Sequence, residues 1–253
     1  MKVFSRRGML SLIGVAALAA CAVITGCDRE AGTPATEPVP KSAAAAIDVV
    51  ATIGMVGDLA VNIGGDRVSV KNVMGQGIDP HLYKASPGDV RIMSDADLIL
   101  FSGLHLEGRM ADLIVKMASR TSVVQVTDSI DEKLLREPPE FAGHFDPHVW
   151  FDVSLWSVAA TRVRDALIAK DPAGTQVYIA SAAKYALLLA ELHAYVKDTA
   201  ATIPENNRIM VTAHDAFGYF GDAYGLQVLA IQGISTDSEA SLQDINALVD
   251  TLV

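Results

Sequence analysis

The sequence predicts an α/β protein in which two lobes of parallel βα units are bridged by one long helix. Three observations lead there. From residue 47 onward, short β-branched runs alternate with helix-length amphipathic stretches. Near Pro172 a single apolar stripe begins and continues for about thirty residues, roughly 45 Å of helix at 1.5 Å per residue, longer than a small lobe is wide. Beyond Pro204 the alternation of strand and helix starts again.

The first lobe is expected over residues 47–170. Its strands are "IDVVATIG" (47–54), "RVSVKNVMG" (67–75), "ADLILFSG" (96–103) and "TSVVQVTD" (121–128), each short, β-branched and closed by a turn residue. Helices are expected from Met55 to Ile63, after Ser86-Pro87, and from Glu107 to Ser119. Ser86 is suited to cap the second of these, with Pro87 at its first position. Asp152 is placed to cap a further helix reaching Lys170. The linker, 171–204, carries Tyr178, Ala182, Tyr185, Leu189, Leu192, Val196, Thr199 and Ile203 at alternating steps of four and three. The second lobe, 205–253, offers strands at 207–213 and 226–233, with helices from Asp215 to Tyr224 and from Glu239 to Val253. Two strands bury little sheet between them, so this lobe is expected to be incomplete as the chain stands.

Residues 1–26 read as an export signal: Lys2, Arg6 and Arg7, an uncharged apolar run from Met9 to Ile24, then small residues. Ile24-Thr25-Gly26-Cys27 resembles a bacterial lipobox, which makes Cys27 the expected acylated residue and lipid anchor. Leu18-Ala19-Ala20-Cys21 is a less well-placed match, and the paired arginines also resemble a twin-arginine motif. Residues 27–46, rich in Pro, Ala and Thr, read as a flexible tether. Both cysteines lie at or before position 27, so the folded part has no thiol for a disulfide, a thiolate metal site or a nucleophile. Loss of residues 1–26 removes three cations and no acids, taking the formal charge from −10 to −13. That acidity argues against nucleic acid, whose phosphates require clustered Lys and Arg.

Metal chemistry must then come from nitrogen and oxygen donors. His81 follows the second strand and His148 follows the fourth, each behind the tripeptide Asp-Pro-His. Proline stiffens such a turn, so the imidazole is presented at a set angle. His214, in "VTAHDAFGYF", sits between the first strand and first helix of the second lobe. In parallel α/β units ligands gather at such carboxyl ends, and three such histidines converge best on a cleft between lobes. Asp79 and Asp146 either orient an imidazole or simply close the Asx turn with their prolines. His105, which follows the third strand, and His144 lie near the expected cleft in sequence order, and His193 lies on the linker helix. Glu239 is expected to start a helix.

The motifs "GIDPHLYKASPGDV", "LFSGLHLEGRM", "FDPHVWFDVSLW", "VTAHDAFGYFGDAYGL" and "LQVLAIQGISTDSEAS", in that order, resemble the zinc- and manganese-binding solute-binding lipoproteins of bacterial ABC importers, the cluster A-I family. The resemblance runs from about Ile47 to the last residue. It implies two lobes clamped on one zinc or manganese ion, with His81 and His148 as ligands from the first lobe and His214 from the second. It further implies a fourth ligand, an aspartate, beyond Val253. A monomeric, lipid-anchored, extracytoplasmic receptor is implied, which delivers the ion to an ABC permease and, through it, to the ATPase. The His-rich loop of many dedicated zinc importers is missing here. Histidine rather than glutamate at the position of His214 leans away from manganese.

Two other classes fit part of the pattern. Three histidines and water on zinc also form the inner shell of a hydrolase, but no His-Glu-x-x-His helix, nucleophile elbow or paired-carboxylate site is present. A lipid-anchored adhesin holding a structural metal is the other.

Overall fold

The computed structural model describes residues 46–141, 143–237 and 242–252. The export signal, Cys27, nearly all of the tether and the Glu239 helix start lie outside the described residues.

Four strands build the first sheet: β1 (Ile47–Ala51), β2 (Val68–Asn72), β3 (Leu98–Phe101) and β4 (Ser122–Gln125). They pair in parallel in the order β2-β1-β3-β4. The central positions of β1 and β3 explain their near-continuous apolar sequences, since a strand covered on both faces has no polar side to show. The edge strands β2 and β4 are only partly buried. Each strand stops short of its apolar run, and the leftover residues become the loops at the carboxyl ends.

Helices α1 (Gly54–Gly64), α2 (Pro87–Asp95) and α3 (Ala111–Ala118) provide the crossovers. Ser86 caps α2 through a full capping box, taking the Asp89 backbone N–H while the Asp89 carboxylate takes the N–H of Ser86. Asp89 also accepts from Tyr83 Oη at 2.7 Å, which fastens the His81 loop to this helix. The helix expected to begin at Glu107 departs from expectation. A short 3₁₀ turn (Gly108–Met110) precedes α3, and Glu107 lies in the loop with its side chain buried.

Helix α4 (Val153–Lys170) begins under the Asp152 cap, whose Oδ1 accepts from Ser154 N at 2.8 Å. After a one-turn break, α5 (Thr175–Ala201) runs for 27 residues, about 40 Å. Its start is pinned where Asp171 Oδ2 accepts from Arg67 and from Tyr178 Oη at 2.8 Å. Farther along, Tyr185 Oη donates to Asp58 of α1 at 2.8 Å. The buried line of α5 follows the expected stripe through Leu189; beyond it Val196 and Ile203 stay partly buried, but Leu192 and Thr199 are exposed while His193 and Ala200 turn inward.

The second sheet is β5 (Ile209–His214) paired in parallel with β6 (Gln227–Gln232). Every residue of both strands keeps some exposure. Helix α6 (Gly218–Tyr224) lies between them in sequence, and α7 (Leu242–Leu252) follows. No helix among the described residues is long and apolar enough to cross a membrane.

Candidate metal centre

The polar side chains buried most deeply at the first sheet, among them Thr52, Ser102 and Thr127, lie just past the carboxyl ends of strands. In a 2-1-3-4 order the direction in which strands are added reverses between β1 and β3, the usual ligand crevice of an open α/β sheet. Here that crevice is filled by Glu107. Its Oε1 accepts from Thr52 Oγ1 at 2.6 Å and Ser102 N at 2.8 Å, and its Oε2 from Gly103 N at 3.1 Å. Burial pushes this carboxyl upward, and the three donors oppose the shift. The same loop holds Leu104 and His105 at φ values of 53° and 65°, a left-handed conformation that disfavours side chains with a Cβ. Sequence reasoning assigned Glu107 to a helix. Two of its partners are backbone N–H groups four and five residues before it, which carry no residue-type signal, and the one side-chain partner, Thr52, is 55 residues away.

The histidine cluster forms from the segments that follow β2 and β4 and from the end of β5. Both Asp-Pro-His segments make the Asx turn: Asp79 Oδ1 accepts from His81 N at 2.9 Å, and Asp146 Oδ1 from His148 N at 3.0 Å. The two then differ. Asp146 Oδ1 also sits 2.8 Å from His148 Nδ1, whereas the second oxygen of Asp79 accepts from Thr236 Oγ1 at 2.6 Å. Asp146 is itself supported by Arg136, whose Nε lies 3.6 Å from Oδ2. Its backbone carbonyl takes the Tyr219 hydroxyl at 3.0 Å. Sequence reasoning missed Arg136, Tyr219 and Thr236, which reach the site from 10, 73 and 157 residues away from the Asp each one contacts.

His214 ends β5, and its Nδ1 lies 2.8 Å from the carbonyl of Gly233, just past β6. A carbonyl only accepts, so Nδ1 carries the proton and Nε2 a lone pair. The carboxylate on His148 Nδ1 imposes the same tautomer there. The Nε2 atoms of His81 and His214 each lie 3.2 Å from His148 Nε2. The contact of His148 with His214 therefore sets lone pair against lone pair, an arrangement a cation relieves. At Zn–N distances of about 2.0–2.1 Å, tetrahedral geometry sets two nitrogens roughly 3.3–3.4 Å apart. The donor atoms of His81, His148 and His214 all lie within 4.8 Å of one another.

Burial, with His148 and His214 nearby, lowers the His81 pKa to about 4, and burial and His148 also lower that of His214. Both shifts favour the neutral imidazole that metal ligation requires. The sign for stability follows. An unfolded histidine protonates near pH 6.5, so stability from neutral His81 is complete above that value and is lost as pH falls towards 4. Thermal melts in excess chelator should show the parent losing more stability than His81→Gln between pH 7 and pH 4.5. Parallel pH profiles would refute this.

The remaining histidines stand apart from the cluster. His105 and His144 pack on each other, ring centroids 4.1 Å apart, at a largely apolar cavity of about 400 Å³. His193 lies on α5, its Nδ1 3.3 Å from Tyr224 Oη.

A family model described as ZnuA, the periplasmic zinc-uptake complex component A, matches residues 49–253. Manganese-binding lipoprotein MntA of Bacillus subtilis is 40% identical over 247 residues, 98% of this chain and 77% of that protein. Zinc-binding protein TroA of Treponema pallidum is 45% identical over 202 residues, 79% of this chain but 64% of that protein. The TroA structure superposes with a TM-score of 0.79 over 82% of this chain and 74% of its own, at 43% identity. That of Fe(III)-bound YtgA from Chlamydia trachomatis gives 0.76 at 29% identity, over 82% and 76%.

Proposed function

Since the chain belongs to the zinc-uptake component A family, whose members are metal-binding components of ABC importers and not enzymes, we propose that it captures a zinc or manganese ion outside the cytoplasm and passes it to a membrane permease. His81, His148 and His214 are the proposed ligands, with a fourth position left for water or a carboxylate. The observation that carries this reading is the convergence of three Nε2 atoms, two of them on rings whose Nδ1 is already engaged. Imidazole nitrogens suit zinc and other borderline cations, whereas manganese takes harder oxygen donors more readily. The ligands come from the proposed lobes 47–170 and 205–253, joined by the linker 171–204, so a small displacement between lobes would break the shell. Anchoring through an acylated Cys27, with residues 28–46 as tether, and action as a monomer complete the proposal.

Elemental analysis of the purified mature chain, followed by zinc and manganese titrations, tests it. One equivalent of metal should bind, with no turnover of model esters or phosphates when zinc is present. A chain that takes up no metal, or one that hydrolyses those substrates, would sink the reading.

A further inference from the structure

Around the histidine cluster the second lobe touches the first on two sides that differ in character. On the α6 side the contacts are buried and partly aromatic. Tyr219 and Tyr224 are nearly inaccessible, the Phe151 and Phe217 ring centroids lie 4.2 Å apart, and Arg136 reaches both Asp222 and the Gly218 carbonyl. On the other side, the turn after β6 makes two polar contacts near solvent. Thr236 Oγ1 donates to Asp79 Oδ2 at 2.6 Å, and Asp237 pairs with Arg109 at 2.5 Å, both of these last side chains well exposed. An exposed ion pair contributes little, so the bond to Asp79 is the stronger of the two. The same turn begins with Gly233, whose carbonyl orients His214.

Asp79 therefore links ligands from opposite lobes. One oxygen shapes the turn that presents His81, and the other fastens the turn that orients His214. We infer that Asp79 and Thr236 form a latch controlling how long the metal is retained, and that release proceeds by freeing residues 233–237 while the α6 side stays in place. This rests on the proposed metal-receptor reading and deepens it. The two Asp-Pro-His copies then have separate jobs. Asp146 belongs to the static side, through Arg136 and Tyr219, and Asp79 to the side that opens.

Stopped-flow transfer of zinc from the loaded mature chain to a chelator tests the latch. Thr236→Val preserves shape but removes the donor, and it should speed release about tenfold while association stays near the parent rate. Thr236→Ser, which restores the hydroxyl, should release zinc at close to the parent rate. A parental release rate in Thr236→Val, or equal acceleration in Thr236→Ser, would overturn the latch and leave the receptor reading intact. A parent that retains no zinc would overturn both.

Discussion

His148→Ala is expected to weaken zinc binding more than a hundredfold and to lower the melting temperature of the metal-free chain, whereas His214→Ala should weaken binding with a much smaller loss of stability. The difference follows from position. His148 is the shared neighbour of the cluster, with the other two Nε2 atoms 3.2 Å from its own. Loss of an outer partner of a metal ligand alone costs roughly 10–100-fold in affinity, and loss of the central ligand should exceed that. Its ring also accounts for Asp146, a carboxylate only 1% exposed. Without His148, Asp146 keeps its turn and the Arg136 contact at 3.6 Å but loses the partner at 2.8 Å. Taking the N–H donor away from a buried carboxylate costs upwards of about 1–3 kcal/mol. Arg136 compensates in part, so about 2–3 kcal/mol is expected for His148→Ala. His214 is only half-buried and leaves behind a solvent-accessible carbonyl. Chelator-competition titrations and melts in chelator separate the two effects. Equal destabilisation by both substitutions would show that Asp146 does not depend on the His148 ring.

Glu107→Ala should be the most destabilising single change at the first sheet without touching a proposed ligand. It strips the acceptor from Thr52 Oγ1, Ser102 N and Gly103 N at the carboxyl ends of the two central strands. A buried donor left unsatisfied costs about 1–3 kcal/mol. Some of the three would reach water as the loop relaxes from its left-handed residues, so a net loss of about 3–5 kcal/mol is expected. For a chain of this size that is a fall of roughly 10 °C or more in melting temperature. Glu107→Gln keeps the shape and an acceptor oxygen and should lose far less. If alanine and glutamine variants melt together, the buried carboxylate does not hold the loop.

Much of the fold was legible because its rules are local. Strand and helix positions followed from β-branched runs, and the caps at Ser86 and Asp152 from residue type alone. The long-helix stripe failed in one instructive way. Steps of four and three keep a period of 3.5, but a straight α-helix has 3.6 residues per turn and drifts by about 20° per heptad. By Leu192 and Thr199, two and three heptads after Tyr178, the drift reaches about 40° and 60°, enough to expose both and bring His193 and Ala200 inward while Val196 and Ile203 stay partly buried. Glu107 was misplaced for a different reason. A glutamate before an amphipathic stretch has the local appearance of a helix start, and only the neighbouring end of β1 supplies Thr52.

The sequence by itself determined which residues could bind a metal: no thiol beyond position 27, two imidazoles on stiff Asp-Pro turns and a third at a strand end. It did not separate the two Asp-Pro-His copies, whose local turns are the same. Tertiary structure made that separation, by setting Arg136 and Tyr219 against Asp146 and Thr236 against Asp79. Turns and caps are set by neighbours in the chain, so sequence specifies them. The partners beyond the turn are whatever folding brings within about 3 Å, and here two of them, Tyr219 on the Asp146 backbone carbonyl and Thr236 on the Asp79 carboxylate, come from more than seventy residues away.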